Sequence, residues 1–210
     1  MNLSSVTLVG MDGAGNRTDI IKAMRHSMSS LSFGSCILLS PVSAWSLYER
    51  DDRIRFQDIK KLTYQEWNEF VIKELRNHIF TEHYLFVDTD GFVLNADKWD
   101  SAFLDYDYLG ARWSLGQDIV YKNRLGIDCD NTVGNGGFTL RSKRFLEEAS
   151  KLDYDGHSPE DAFLCIKNYD TLVSKGMKFA PPELADKFST DPYNGKSFGF
   201  HGDKTVISRL

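Results

Sequence analysis

The chain has 210 residues, 41% hydrophobic and 26% charged, with a formal net charge of −5. That length suits one domain with a sizeable core, and the composition excludes a disordered chain or a membrane protein. The acidic balance makes DNA, RNA and anionic membrane poor generic partners, although a local basic patch stays open.

Val6-Thr7-Leu8-Val9-Gly10 reads as a short buried strand, and a glycine-rich turn follows from Gly10 to Gly15. Ile20, Met24 and Met28 recur every four residues, so residues 18–30 read as an amphipathic helix. Cys36-Ile37-Leu38-Leu39 is a second buried strand that stops near Pro41, and Ile54-Arg55-Phe56 a weaker third. A strong helix runs over residues 64–79, with Trp67, Val71, Leu75 and Ile79 on one face and a capping box from Thr63 and Glu66 at its start. Tyr84-Leu85-Phe86-Val87 is a fourth strand that runs directly into Asp88-Thr89-Asp90-Gly91. Strand and helix alternate, which predicts an α/β fold with a Rossmann-like, mostly parallel sheet flanked by helices.

The second half is less regular. Residues 97–104 read as a short helix, 133–140 as a strand broken by glycines, and 142–152 and 159–169 as helices. From Ala180 onward the chain reads mostly as loop.

Five segments carry residues suited to chemistry. Asp88 and Asp90 stand one residue apart after an apolar strand, where ligands of open α/β sheets sit. Two such carboxylates can hold a hard divalent cation that bridges two phosphates, as in the DXD motif of nucleotide-sugar transferases; the alternative is an ordinary Asp/Gly turn. Asn135, Gly136 and Gly137 lie in Val133-Gly134-Asn135-Gly136-Gly137-Phe138, where backbone can approach a ligand closely; a bulge would explain the glycines equally. In Ser158-Pro159-Glu160-Asp161, Ser158 suits an N-cap, Pro159 the first helical position, and Asp161 a capping box. The functional alternative is a carboxylate that deprotonates an acceptor hydroxyl. His201, in Phe198-Gly199-Phe200-His201-Gly202, offers an imidazole that can complete a cation site. Gly10 to Thr18 resembles a phosphate-binding loop, but Asn16 stands where that motif has lysine and Arg17 where it has Ser/Thr.

The three cysteines, Cys36, Cys129 and Cys165, have long spacings and form no CxxC. They fit a reducing cytosol better than a disulfide framework or zinc knuckle. Met1-Asn2-Leu3-Ser4-Ser5 lacks the layout of a signal peptide. A cytoplasmic protein is expected.

Many ordered matches give the chain a wider resemblance. Leu104-Asp105-Tyr106-Asp107-Tyr108-Leu109-Gly110-Ala111-Arg112-Trp113 is similar to a family pattern YDYIGAPW, and Val133 to Ser142 to VGNGGFSLRS. Thr63-Tyr64-Gln65-Glu66-Trp67, Asp90-Gly91-Phe92-Val93-Leu94-Asn95, Glu160-Asp161, Phe179-Ala180-Pro181 and Phe198-Gly199-Phe200-His201 follow the same family in order. This family comprises glycosyltransferase-like domains of unknown function found in bacteria, fungi and viruses.

The resemblance implies one minimal GT-A domain over 1–210, with a nucleotide-binding half to about residue 95 and an acceptor-side half beyond. It implies a metal-dependent hexosyl- or pentosyltransferase that takes a nucleoside-diphosphate sugar with Mn²⁺ or Mg²⁺. The acceptor would be a glycan, a protein or another hydroxyl-bearing molecule, and the reaction inverting. By the same resemblance Asp90, Asp88 and His201 hold the metal, Asp161 and then Glu160 serve as base, and Asp12 meets the nucleoside. Asn135, Gly136 and Gly137 shape the sugar pocket. Arg112 stands where the family has proline and is a candidate for the diphosphate. A P-loop-like enzyme using the Gly10–Gly15 loop and a non-catalytic sugar- or nucleotide-binding module are the alternatives.

Overall fold

The computed structural model of the chain describes residues 1–113 and 116–202. Strands β1 (Asn2–Met11), β2 (Ser32–Ser40), β3 (Arg55–Asp58), β4 (His83–Val87), β5 (Tyr108–Arg112) and β6 (Val133–Ser142) form one sheet, in the order β3-β2-β1-β4-β6-β5. The pairs β1–β2, β2–β3 and β1–β4 are parallel, whereas β6 runs antiparallel to both β4 and β5. Helices α1 (Ile20–Ser27), α2 (Tyr64–Lys73), α3 (Gln117–Leu125), α4 (Lys143–Ala149), α5 (Glu160–Ala162), α6 (Tyr169–Ser174) and α7 (Pro182–Phe188) flank it. A second, parallel pair is made by β7 (Ser189–Thr190) and β8 (Gly199–Phe200). This is the mixed, mostly parallel α/β architecture expected from the alternation of elements. Among the described residues no helix is long and apolar enough to cross a membrane.

The central strands read as unbroken apolar runs because both faces of the sheet are covered. On β1, Val6 and Leu8 pack with Ile20 and Met24 of α1, while Val9 and Met11 pack with Val71 of α2 on the other face. Gly10 lets α1 come close: a Cβ there would lie 2.6 Å from Met24 Sδ. The capping box that opens α2 is present, with Glu66 N–H donating to Thr63 Oγ1 and Thr63 N–H to Glu66 Oε2. Such a cap contributes about 1 kcal/mol and fixes the first turn of α2, which carries Tyr64 and Trp67.

Four local expectations change. The 64–79 helix is α only to Lys73 and ends in a 3₁₀ turn over Leu75–His78, a common way to finish a helix; Leu75 and Ile79 stay fully buried. The 97–104 helix is a pair of 3₁₀ turns, Ala96–Lys98 and Ser101–Asp105. The stretch after Ala180 contains α7, started by Pro182 and anchored by buried Ala185 and Phe188. The 159–169 helix is α only over α5 and continues as a π turn over Phe163–Lys167.

Aromatic packing ties the last described segment to the sheet. Phe138 of β6 stacks on Phe188 at 4.9 Å, Phe198 meets Trp99 at 5.3 Å, and Phe200 meets Phe92 at 4.8 Å. Leu94 and Asn95 N–H both donate to the Phe198 carbonyl. These contacts deliver His201, the residue after β8, to the sheet edge.

Candidate functional site

Parallel pairing sets the ends of β1 and β4 side by side, with Gly10 opposite Val87. Asp12 and the Asp88–Gly91 turn therefore leave the sheet at the same edge. Because β6 is antiparallel, with Thr139 opposite Phe86, its first half brings Asn135, Gly136 and Gly137 to that edge too.

Asp90 and His201 meet there. His201 Nε2 lies 3.7 Å from Asp90 Oδ1, wider than a hydrogen bond, and Gly202 N–H donates to the Asp90 carbonyl at 2.8 Å. The imidazole presses on two glycines: a Cβ on Gly137 would lie 1.9 Å from His201 Nε2, and one on Gly91 3.1 Å from His201 Cδ2. Nδ1 is buried without a partner among the described residues. Gly137→Ala is therefore expected to displace the imidazole and to cost about 1–3 kcal/mol through overpacking. Denaturant unfolding measures the loss, and the ring's NMR shifts report the displacement.

Asp88 is engaged differently. Arg17 Nη2 lies 2.7 Å from Asp88 Oδ1 and Nη1 donates to Oδ2 at 3.0 Å, while Arg17 also reaches Thr89 Oγ1. Among the described residues no three His, Cys, Asp or Glu side chains are grouped to cage a cation. Asp90 and His201 supply one oxygen and one nitrogen donor, a set that suits a divalent ion that fills its remaining positions with water and phosphate oxygens. Asp88 would add a third donor only after releasing Arg17.

Asp12 is 1% exposed and fully engaged: its carboxylate accepts from the N–H groups of Gly15 (2.8 Å) and Arg17 (2.6 Å) and from the Tyr48 hydroxyl (2.8 Å). It pins the β1–α1 loop. It also takes two of the backbone donors that a phosphate-binding loop would offer. Beside it is a cavity of about 300 Å³, lined by Arg17, Leu62, Tyr64, Trp67 and Asp88 among others.

The residues of the expected capping box are used otherwise. Pro159 stands at the N-cap of α5, and no side chain caps it. Ser158 Oγ instead donates to Asp155 Oδ2 at 2.7 Å, because the Asp155 carboxylate also gathers the Ser158 N–H. Asp161 is thereby released toward β6: its Oδ2 accepts from Gly136 N–H at 3.2 Å and its Oδ1 from Ala162 N–H at 2.7 Å. Burial, and next the neighbouring Glu160 charge, push the Asp161 carboxyl up to about 6, against the two N–H groups and Arg141, which pull it down.

Glu160, expected as the second base, is 3% exposed and gives both oxygens to Arg141, at 2.9 and 2.8 Å. That fork occupies both carboxylate oxygens of Glu160. Asn135 donates to Asp191 Oδ2 at 3.2 Å. Arg112 is half exposed and pairs with Asp186 at 3.4 Å on the rim of a cavity of about 730 Å³ that also includes Trp113, Ile119 and Asp191. It does not join the Arg17–Asp88 group. Another recess, about 610 Å³, lies by His83 and Lys143 at the opposite end of β4, away from these residues.

Arg17 and Arg141 hold Asp88 and Glu160, and Trp67 lines the cavity beside Asp12; the sequence reading gives none of the three a place in the site. For Arg17 the signal was present, a cation in a glycine-rich loop after the first strand. For Arg141 none was local, since its partner is 19 residues away.

A family model described as protein of unknown function (DUF5672) matches residues 53–206. No curated protein matches. Among solved structures, the fold is similar to that of the galactosyltransferase LgtC, in a complex with donor and acceptor sugar analogs. The TM-score is 0.55 and the identity 15%, over 96% of this chain and 86% of that one. An active-site mutant of LgtC is similar at a TM-score of 0.54 and 16% identity, with the same coverage. The shared architecture is the GT-A-like, Rossmann-type fold.

Proposed function

We propose that this chain, which belongs to the DUF5672 family of proteins of unknown function, is a metal-dependent glycosyltransferase acting on a nucleoside-diphosphate sugar. One observation carries the reading. Adjacent residues of β6 touch the two halves of the chemistry: Gly136 N–H holds Asp161, and Gly137 supports the imidazole that faces Asp90. The candidate base and the candidate cation ligands are thus both tied to consecutive residues of β6, near the sheet edge where ligands of such folds bind, which supports the reading.

In this reading the nucleotide occupies the cavity beside Trp67 and Tyr64, with aromatic faces for its base. Asp90 and His201 would hold Mn²⁺ or Mg²⁺, which when bound would supply positive charge to the leaving diphosphate. Asp161 takes the proton of the acceptor hydroxyl as its oxygen bonds to the anomeric carbon and the bond to the diphosphate breaks. Glu160 and Arg141 keep Asp161 in place. A single displacement inverts the anomeric centre; retention, seen by NMR of the product's anomeric proton, would refute that part. The acceptor is a hydroxyl-bearing molecule, such as a glycan or a protein.

The test is a thermal-shift screen of nucleotide-sugars with and without Mn²⁺. A donor at 100 times its Kd stabilises the folded state by about 2.7 kcal/mol. The shift is expected to grow when Mn²⁺ is added, and that added part to vanish in Asp90→Asn. A shift that ignores both Mn²⁺ and Asp90→Asn would overturn the reading in favour of the glycine-loop nucleotide enzyme. Donor binding without donor hydrolysis or transfer would favour a non-catalytic module.

A further inference from the structure

We propose that Arg17 is the residue that receives the donor's diphosphate, and that in the free protein it is parked on Asp88. The inference rests on the reading of this edge as a nucleoside-diphosphate site and adds to it a residue and an order of events.

Arg17 is held by its backbone, and its tip is partly exposed. Asp12 accepts the Arg17 N–H at 2.6 Å, which fixes where the side chain leaves the loop. The guanidinium then spans to the β4 turn, 71 residues away, and grips Asp88 with two nitrogens and Thr89 with one. Arg17 and Asp88 line the same cavity as Trp67 and Tyr64, and Arg17 is the one cation among the described residues that line it.

A diphosphate running from that cavity toward Asp90 and His201 enters a site with two carboxylates one residue apart. It needs a cation there, and the guanidinium fork matches phosphate oxygens as well as it matches a carboxylate. The Arg17 side chain is 43% exposed and that of Asp88 18%. The guanidinium is therefore within reach of solvent, where a phosphate can replace the carboxylate in the same fork geometry. Once Arg17 turns to the phosphates, Asp88 is released beside Asp90. Cation and diphosphate then help each other to bind, and the coupling is reciprocal.

Two titrations of the intact protein test this without any turnover. Inorganic pyrophosphate is followed by ³¹P NMR without metal, and Mn²⁺ alone by calorimetry. Arg17→Gln is expected to weaken pyrophosphate about tenfold or more, the loss of a charged hydrogen-bond partner, with Arg17→Lys between the two. The same Arg17→Gln protein is expected to bind Mn²⁺ several-fold more tightly, because Asp88 is no longer masked, and Arg17→Gln/Asp88→Asn to lose that gain. Equal pyrophosphate affinity in the unsubstituted and Arg17→Gln proteins would overturn the role of Arg17 and leave the transferase reading standing. Unchanged Mn²⁺ affinity in Arg17→Gln would overturn the parking on Asp88. No pyrophosphate binding by the unsubstituted protein would overturn the diphosphate site itself, and this inference with it.

Discussion

Arg141→Ala is expected to lower the unfolding free energy by about 3–5 kcal/mol, the usual cost of stripping one partner from a buried ion pair. Arg141 is 1% exposed and Glu160 3%. The guanidinium forks onto both Glu160 oxygens, donates through Nε to Thr139 Oγ1 at 3.1 Å, and lies 4.7 Å from the centre of the Tyr108 ring. Alanine removes all of this and leaves the Glu160 carboxylate buried without its cation. For a chain of this length the loss corresponds to a fall in Tm of about 6–20 °C. Replacing both partners with apolar residues, Arg141→Met with Glu160→Leu, is expected to recover most of the stability, since the pair itself gains little over a well-packed core. Denaturant unfolding of the single and double variants measures both effects. An Arg141→Ala protein as stable as the unsubstituted one would show that the pair is not closed in solution.

Asp161→Asn is expected to lower transfer activity by about 10²–10⁴-fold, the contribution of a general base, while leaving Mn²⁺-dependent donor binding intact. The pH profile separates this from a structural role. With the carboxyl at about 6, the base form is depleted below that pH. Activity is then expected to fall about tenfold per pH unit on the acid side, and Asp161→Asn to abolish that limb. Stability moves the other way. A carboxyl raised on folding from its ordinary value near 3.8 to about 6 favours the folded state below about pH 4, and that contribution is lost as pH rises through about 6. Ionised Asp161 thus costs the folded protein of order 2–3 kcal/mol at neutral pH. Asp161→Asn removes that cost and sets its amide against one N–H group, at about 1–3 kcal/mol. The variant is therefore expected to be about as stable as the unsubstituted protein at pH 7 and less stable than it at pH 4. A large loss of stability at pH 7 would assign Asp161 a packing role instead.

What the sequence showed depended on range. The strands β1, β2 and β4, the capping box of α2 and the helix of the first crossover were legible because each is written in consecutive residues, as apolar runs, a 3.6-residue stripe or a Thr-x-x-Glu start. β5 was not, since Tyr108 to Arg112 is short and interrupted by Gly110, where a Cβ would lie 2.7 Å from the Asn135 carbonyl; the reason for that glycine sits on another strand. α3 was missed because it buries no residue and so carries no stripe, with Ile119 and Val120 exposed. The residues around the site were legible as a set of types, but their pairings were not. Local reading joined Ser158 to Asp161 through a cap, whereas Ser158 turns to Asp155 and Asp161 to β6. It set Asp88 beside a metal ion and gave no sign of the Arg17 contact that the fold brings to it. Contacts between residues 71 positions apart leave no periodicity to detect.

The place of β6 in the sheet has a consequence for assembly. β5 comes earlier in the chain than β6 but lies outside it at the margin; among the described residues β6 is the one strand it pairs with, apart from a single bridge from Tyr108 to Phe179. β5 therefore cannot join the nascent sheet on its own. It must wait for β6 to form and enter paired with it, or be added afterwards. The parallel block β3-β2-β1-β4 has no such wait, so Asp88 and Asp90 can be in position while Gly136, Gly137 and Asp161 are still unplaced. The carboxylate turn belongs to the parallel block, Gly136 and Gly137 to the antiparallel ribbon, and Asp161 and His201 to later segments that pack onto that ribbon.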